Sequence, residues 1–248
     1  MFTKSKYLAV VPSNANKYTR GVVGVCAGSE KFPGAAVLCV GGARRGGAGY
    51  VKFFAGSKSL SKLVTNNFPD VVTIDDFHGQ KIDVFVVGPG NPKPIDIPSE
   101  IPLVLDSSSI AFVDVKRNPI TVLTPHEGEL KYLGYTLKSR NETAQRIANE
   151  LGAILVLKGE ASIVAAPNLS PLIDELGGVE LSTAGSGDLL AGLIGSMLAS
   201  WKPKNIAEAQ KVVFKAVQMH SAAGKLARKR NNPVVATDIL EALGQVNL

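Results

Sequence analysis

The sequence predicts an α/β fold in which helices cover both faces of a mainly parallel central sheet, giving three layers. Short β-branched runs alternate with helical patterns from one end of the 248-residue chain to the other. This alternation is typical of βαβ units, whose crossover helices keep successive strands parallel. A chain of this length can bury a full core, and no linker or change of composition divides it. We therefore expect a single domain over residues 1–248.

Eight apolar runs have the length and the branched side chains of buried strands. In chain order they are Val22–Cys26, Tyr50–Phe54, Val71–Ile74, Val84–Val87, Leu103–Leu105, Thr121–Leu123, Ile154–Leu157 and Ile163–Ala165. Helical periodicity occurs near residues 34–47, 57–66, 127–133, 140–151, 188–200, 205–229 and 237–245. For the helix at 140–151, Ser139 and Glu142 predict a capping box at its start, and Gly152 predicts its end.

Composition limits the class of protein. Apolar residues make up 45% of the chain and charged residues 19%, as in globular proteins. The net charge of +6 favours an anionic ligand, but scattered basic residues and few aromatic ones argue against nucleic acid. No apolar run approaches the ~20 residues of a membrane span, so we expect no membrane association. Cys26 and Cys39 lie in apolar segments without CxxC spacing, which predicts buried thiols and a cytoplasmic protein.

The segment at 182–188, with the sequence STAGSGD, is the most informative one in the chain. Gly185 and Gly187 allow a tight backbone curl, and an apolar-periodic helix starts at Leu189. The loop should therefore lie on a helix N-terminus, where unpaired N–H groups and the helix dipole favour a phosphate. Asp188 has two interpretations here. It either caps the helix or acts as the base that removes a proton from a hydroxyl attacking a phosphoryl group.

Other unusual residues follow predicted strands, where parallel sheets bind their ligands. The turn at 88–92 (GPGNP) is either a simple tight turn or a place where backbone approaches a ligand closely. Asp106 either holds a magnesium-bound water or caps the next helix. HExxH spacing is absent around His126, which favours a ligand contact over a zinc site. Lys158 either meets a phosphate or is a solvated lysine at a strand end.

These pieces form part of an ordered set that covers nearly the whole chain. Its members are 21–24 (GVVG) with 27–29 (AGS), 32–36 (FPGAA), 88–90 (GPG), 102–106 (PLVLD), 123–129 (LTPHEGE), 156–159 (VLKG) and 185–192 (GSGDLLAG). The set resembles the ADP- or ATP-dependent NAD(P)H-hydrate dehydratases of the ribokinase-like superfamily. Its LTPHxGE element is the specific one, because a glycine-rich loop that ends in Asp occurs throughout the superfamily.

The resemblance implies a ribokinase-like fold and the roles of particular residues. Four of them would line the site of the hydrated nicotinamide nucleotide, NADHX or NADPHX: Ala35, Gly90, His126 and Asp188. A second group would hold the adenine nucleotide that supplies the phosphoryl group: Lys158, Gly159, Glu160, Ala161, Ser162, Gly185, Ser186 and Gly187. Asp188 would be the catalytic base, and Mg²⁺ would bridge the phosphates of ADP or ATP.

The resemblance also implies a homotetramer and a separate NAD(P)H-hydrate epimerase in the same pathway, because the epimerase domain often fused ahead of the dehydratase is not recognised here. The chain departs from the family pattern at three places. Asn16-Lys17 stands where a His-Lys pair is usual, and eleven residues separate Gly90 from Pro102, where relatives have room for an extra helix. In the loop, Ala184 and Ser186 replace glycine and threonine, and the serine keeps the hydroxyl.

Two other functions compete with this one. A small-molecule kinase of the same superfamily would share the loop that ends in Asp188 but would release a stable phosphorylated product, and the LTPHxGE element argues against it. A catalytically silent nucleotide-binding subunit would bind adenine nucleotide without turnover, and the presence of Asp188 argues against that alternative.

Overall fold

The computed structural model describes residues 6–111 and 120–246. Within them, nine strands form one sheet in the order β3-β2-β1-β4-β5-β6-β7-β8-β9. The strands are β1 (Val22–Cys26), β2 (Tyr50–Phe54), β3 (Val72–Ile74), β4 (Val84–Val87), β5 (Leu103–Leu105), β6 (Thr121–Leu123), β7 (Ile154–Leu157), β8 (Ser162–Ala166) and β9 (Leu169–Asp174). Neighbours from β3 to β7 pair in parallel, whereas β8 pairs antiparallel with both β7 and β9.

Six α-helices connect or follow these strands in the described part of the chain. They are α1 (Pro33–Arg45), α2 (Lys58–Asn67), α3 (Arg140–Leu151), α4 (Ser186–Trp201), α5 (Ile206–Arg228) and α6 (Ala236–Leu243). Short 3₁₀ helices span Ser107–Ala111, Glu127–Leu133 and Val179–Leu181. None of the helices described is long and apolar enough to cross a membrane.

Side chains alternate between two cores, one on each face of the sheet. In β1, Val23 and Val25 point into the larger core, while Val22 and Cys26 point into the smaller one. Apolar residues of α1, α2, α4, α5 and α6 fill the larger core, and α3 with the loops around it covers the smaller one. Because a strand buried on both faces needs apolar residues at every position, the central strands read as continuous apolar runs. The three-layer α/β prediction is confirmed.

Helices α1 and α4 pack with their backbones in close contact. A Cβ placed on Gly42 would lie 2.1 Å from the backbone oxygen of Leu189, and one on Gly192 would lie 1.9 Å from that of Cys39. Both positions therefore require glycine, because the atoms that a side chain would meet belong to backbone. This close packing holds the first turn of α4 against α1 and so fixes the position of the Asp188 loop.

Most predicted elements are confirmed within one or two residues, with three corrections. The segment Glu127–Leu133 is a 3₁₀ helix, and the hairpin strand β9 was not predicted. Its alternation is interrupted by Pro171, which an outer strand tolerates because one side of its backbone needs no partner. The predicted capping box is wrong: Ser139 is the N-cap of α3, but its side chain makes no capping hydrogen bond. Gly152 does end α3, in the left-handed conformation.

The prediction of buried thiols is confirmed, since Cys26 and Cys39 are both buried and free. Loss of solvent disfavours the thiolate, and it raises the pKa of Cys26 to about 12. Both cysteines are therefore neutral apolar groups of the core at physiological pH.

Candidate active site

One edge of the sheet collects the carboxyl ends of β1 to β7. Because β8 runs the other way, its first residue, Ser162, starts at this same edge, and β9 ends there at Asp174. Parallel sheets bind ligands at this edge, since loops and helix N-termini converge on it. The residues that the sequence singled out on strand ends, Asp106, His126 and Lys158, accordingly come to one side of the molecule.

The glycine-rich loop lies on the N-terminus of α4, as predicted. Gly185 is the N-cap, with a φ of +91°, a conformation that glycine adopts without strain. Asp188 is the third residue of the helix. Its interpretation as the capping residue is therefore wrong, because Gly185 occupies the capping position. The first-turn N–H groups of Gly187 and Asp188 have no acceptor within the helix, so this end attracts an anion.

Lys158 lies beside this helix end and is paired with carboxylates. Its Nζ donates to Asp106 Oδ1 at 2.8 Å and lies 3.9 Å from Glu129 Oε2. A Cβ on Gly187 would be 3.1 Å from the same Nζ, so the ammonium also adjoins the first turn of α4. The lysine side chain is 18% exposed. The interpretation of Lys158 as a solvated strand-end residue is thus wrong.

Asp106 is almost fully buried and forms hydrogen bonds to two of its neighbours. Its Oδ1 accepts hydrogen bonds from Thr124 Oγ1 at 2.7 Å and from Lys158 Nζ at 2.8 Å. These partners lie on neighbouring strand ends, so the carboxylate joins β5, β6 and β7 across the edge of the sheet. Because this oxygen is bonded to Thr124 and Lys158 and not to the 3₁₀ helix Ser107–Ala111, the capping interpretation of Asp106 is not supported.

The surroundings of Asp188 raise the pKa of its carboxyl group towards neutral pH. Partial burial raises its pKa, the negative charges of Asp106 and Glu129 raise it further, and Lys158 opposes them; the result is a pKa of about 6. An ordinary aspartate has a pKa near 3.8 and is a weaker base. A carboxylate with this pKa is largely ionised at neutral pH and still binds a proton appreciably, as general base catalysis requires.

His126 is the N-cap of the 3₁₀ helix Glu127–Leu133 and pairs with Lys158 through an isolated parallel β-bridge. Its backbone N–H donates to Glu129 Oε2 at 2.9 Å, and its Nε2 lies 3.6 Å from Glu129 Oε1. The imidazole side chain is 59% exposed, so most of its ring faces solvent at the edge of the sheet. No cluster of three His, Cys, Asp or Glu side chains that could hold a metal occurs in residues 6–111 and 120–246.

Gly90, which follows β4, packs against Ala35 in the first turn of α1. Gly90 has a φ of +71°, and a Cβ on it would lie 2.5 Å from the Cβ of Ala35. The turn is held by a hydrogen bond from Ser29 Oγ to the backbone oxygen of Gly90, at 2.7 Å. Leu38, one turn along α1 from Ala35, fills the space where a Cβ of Gly185 would stand. Ala35, Gly90 and the glycine-rich loop before Asp188 are therefore contiguous around the start of α1, whereas His126 lines a cavity on the side of β7.

Two adjoining cavities open on the side of β7 and share Lys158, Gly159 and Glu160. The first has a volume of about 660 Å³ and includes His126 and Ala161 in its wall. The second has a volume of about 340 Å³ and is lined by residues that include Ser162, Ser186, Gly187 and His220. Of the residues that the sequence assigns to the adenine nucleotide, all but Gly185 line one cavity or both.

Sequence reasoning missed Arg140 and His220. Arg140 donates to the backbone oxygen of Ala161 at 3.0 Å and pairs with Glu127, so it supports the loop at 158–162. His220 is buried, with its Nε2 3.2 Å from Ser186 Oγ, and burial lowers its pKa to about 4. Both residues lie on helices whose patterns indicate only an apolar face. The scarcity of histidine, three in the chain, is the signal that could have drawn attention to His220.

Comparisons with known proteins show the family to which the chain is related. A family model described as NAD(P)H-hydrate dehydratase matches residues 23–245. The ADP-dependent (S)-NAD(P)H-hydrate dehydratase of Lactococcus lactis is 30% identical over 250 residues, which cover 92% of this chain and 89% of that protein. The bifunctional NAD(P)H-hydrate repair enzyme of Mycobacterium tuberculosis is 34% identical over 211 residues, which cover 78% of this chain and 44% of the relative. The chain spans about half the length of the bifunctional relatives it matches.

A solved structure extends the similarity to three dimensions. The ADP/ATP-dependent NAD(P)H-hydrate dehydratase of Bacillus subtilis, co-crystallised with ATP and Mg²⁺, superposes with a TM-score of 0.83 at 26% identity. The superposition covers 97% of this chain and 93% of that one.

Proposed function

The chain belongs to the NAD(P)H-hydrate dehydratase family, and we propose that it converts (S)-NADHX or (S)-NADPHX back to the reduced dinucleotide. The reaction consumes ADP or ATP and releases AMP or ADP together with phosphate. The observation that supports the proposal is the position of Asp188. Its carboxyl group has a pKa of about 6 and lies in the first turn of α4, near Lys158 and the carboxylates of Asp106 and Glu129. This arrangement suits the transfer of a phosphoryl group to a hydroxyl.

In the first step, the hydroxyl oxygen on the hydrated nicotinamide ring attacks the terminal phosphorus of the donor. The bond from that phosphorus to the AMP or ADP oxygen breaks, and the hydroxyl proton passes to Asp188. Charge that develops on the phosphoryl oxygens is stabilised by the first-turn N–H groups of α4 and by Lys158. The product is a phosphate ester, which is a far better leaving group than hydroxide.

In the second step, the bond between the ring carbon and the ester oxygen breaks and phosphate leaves with the electron pair. The ring nitrogen supplies its lone pair to that carbon, and the neighbouring ring carbon then loses a proton. The second double bond of the dihydronicotinamide forms, and no oxidant or reductant is consumed. His126, Ala35 and Gly90 hold the nicotinamide half during this sequence.

The two adjoining cavities beside β7 are the proposed site of the adenine nucleotide. Lys158 to Ser162 and the loop from Gly185 to Gly187 supply backbone and charge to it. A Mg²⁺ ion would be bound chiefly by the donor phosphates, and Asp106 and Glu129 are the carboxylates beside Lys158 that would help to hold it. The ion would neutralise charge on those phosphates.

Three further expectations accompany the activity. A homotetramer and a separate hydrate epimerase in the same pathway follow from the family resemblance. Two buried thiols without a disulfide support a cytoplasmic location, because such pairs of free cysteines are typical of reducing compartments.

The proposal is tested by mixing the protein with hydrated NADH, Mg²⁺ and either ADP or ATP. We expect the near-ultraviolet absorbance of the dihydronicotinamide to recover, with one phosphate released for each molecule restored. A phosphorylated product that accumulates without recovery would instead identify a kinase. Nucleotide binding without any turnover would identify a silent subunit, and either result would overturn the proposal.

A further inference from the structure

A third cavity, which we call the distal cavity, lies away from the two beside β7 and has a volume of about 320 Å³. It opens where β1 and β2 end, and Phe54, Ala55 and Leu60 form an apolar part of its wall. Lys31 and Lys93 also line it. None of the residues assigned to the reaction lines this cavity.

The distal cavity lies next to the point where the strand order reverses. From β1 the chain continues to β2 and β3 on one side of the sheet and then returns to β4 on the other side. Open α/β sheets bind ligands in the crevice at such a point, because the loops after the two central strands diverge. Here Gly28, after β1, donates from its N–H to the backbone oxygen of Pro89, after β4, at 2.7 Å. This bond fixes the loop after β1 relative to the loop after β4, and both loops contribute residues to the wall of the cavity.

The distal cavity adjoins the residues assigned to the nicotinamide half. Gly28 and Asn91 line it, and a Cβ on Gly90, between the two loops, would meet both Ala35 and Gly28. Ala35 in turn lies one helical turn from Leu38, which contacts the Asp188 loop. A ligand that starts at Asp188 and passes the first turn of α1 therefore reaches this cavity.

The charges around the distal cavity favour phosphate. Lys31 and Lys93 form no ion pair with any described residue, and Glu30 is the one acidic side chain in the described lining. The ammonium of Lys31 lies 5.3 Å from the ring centre of its neighbour Phe32. Two lysines without ion-pair partners among the described residues, in the wall of a partly apolar cavity, match a ligand that joins phosphates to a flat apolar base.

We propose that the distal cavity binds the adenosine half of the hydrated dinucleotide and that Lys31 and Lys93 contact its phosphate groups. The inference rests on the proposed function, because it takes the nicotinamide half to lie at Asp188. The donor nucleotide occupies the cavities beside β7, so the rest of the substrate must extend the other way, past Gly90. A volume of about 320 Å³ is in the range of cavities that hold one ligand of nucleotide size.

The test measures binding, so it does not depend on turnover. NADP⁺ and NAD⁺, which share the adenosine half, are titrated calorimetrically into the protein while a non-hydrolysable ATP analogue saturates the donor site. We expect the double variant Lys31→Glu/Lys93→Glu to bind NADP⁺ about tenfold more weakly or worse, the usual scale of a lost charged contact. Lys62→Glu, an exposed residue of α2 that does not line the cavity, is the matched control and should bind as the natural protein does.

The two dinucleotides distinguish the phosphates. A loss confined to NADP⁺ assigns the lysines to the 2′-phosphate, and an equal loss for both dinucleotides assigns them to the pyrophosphate; both results support the proposal. It is overturned if the double variant binds NADP⁺ normally, if Lys62→Glu loses as much affinity, or if the natural protein binds neither dinucleotide. Lysine-dependent binding in a protein that restores no hydrated NADH would leave the distal cavity assigned and overturn the repair function alone.

Discussion

The ammonium group of Lys158 lies 2.8 Å from Asp106 Oδ1, so the cation nearest to the first turn of α4 is held by a buried carboxylate. This pair controls the charge that Asp188 experiences. Lys158 alone would lower the pKa of Asp188, but Asp106 and Glu129 add negative charge, and desolvation favours the neutral form. The pair thus supplies positive charge for a phosphoryl group while leaving Asp188 basic.

The pH dependence of turnover should reveal the raised pKa of Asp188. Since Asp188 must be ionised to accept a proton, kcat is expected to fall about tenfold per unit below a midpoint near pH 6. Asp106→Asn removes a negative charge and frees Lys158, so the midpoint should move to lower pH. Asp70→Asn, which changes a surface ion pair with Arg44, is the control and should leave it in place. A profile that is flat down to pH 4.5, about the range of ordinary carboxyl groups, would contradict the assignment of Asp188.

The raised pKa of Asp188 also has a cost in stability. The folded-state pKa of about 6 exceeds the ordinary value of 3.8, so the folded protein binds this proton more tightly than the unfolded chain does. Stability from this group is therefore greatest below pH 3.8 and is lost as the pH rises through 6. Asp188→Asn should raise the free energy of unfolding by about 1–3 kcal/mol at neutral pH and bring no gain near pH 3.5. Urea unfolding at the two pH values measures the difference. An equal effect at both would show that ionisation of Asp188 is not its cause.

His126→Ala tests the contact to the hydrated nicotinamide half. The imidazole faces solvent at the sheet edge, so its removal should leave the fold intact and take away one hydrogen-bonding group. We expect KM for the hydrate to rise about fivefold to tenfold, with a smaller effect on kcat. His78→Ala, whose ring pairs with Asp76 in the loop after β3, is the matched control. If both steady-state constants are unchanged in His126→Ala, His126 does not contact the substrate.

Gly192→Ala tests the close packing of α1 on α4. The new methyl group would meet the backbone oxygen of Cys39 at 1.9 Å, so the helices must separate, and we expect a loss of at least about 2 kcal/mol in unfolding free energy. Gly34→Ala, near the start of α1, meets no atom within 4 Å and is the control. It should be neutral or stabilising by about 0.4–1 kcal/mol, because alanine restricts the unfolded chain. Equal denaturation midpoints for the two variants would show that the contact is not restrictive.

The sequence predicted the sheet well because each central strand is buried on both faces and leaves a local apolar run. Such runs also marked the strand ends, which is why Asp106, His126 and Lys158 could be named before their positions were known. The hairpin strand β9 escaped prediction because its exposed residues and Pro171 weaken the pattern.

What the sequence did not predict depends on contacts between distant segments. The pairing of Lys158 with Asp106 joins residues 52 positions apart, and neither residue type nor spacing reveals it. Arg140 and His220 support the candidate site from α3 and α5, whose periodicity reports burial and nothing about chemistry. The raised pKa of Asp188 could not be predicted from the sequence either, because it depends on groups from three other elements.

The most direct test of the role of Asp188 compares the natural protein with Asp188→Asn in the recovery of hydrated NADH, together with a titration of the adenine nucleotide into both. We expect kcat to fall about 10²-fold or more while nucleotide affinity is preserved, because the variant keeps the helix N-terminus and Lys158 but loses the base. Turnover close to that of the natural protein would contradict it and would remove Asp188 from the chemistry.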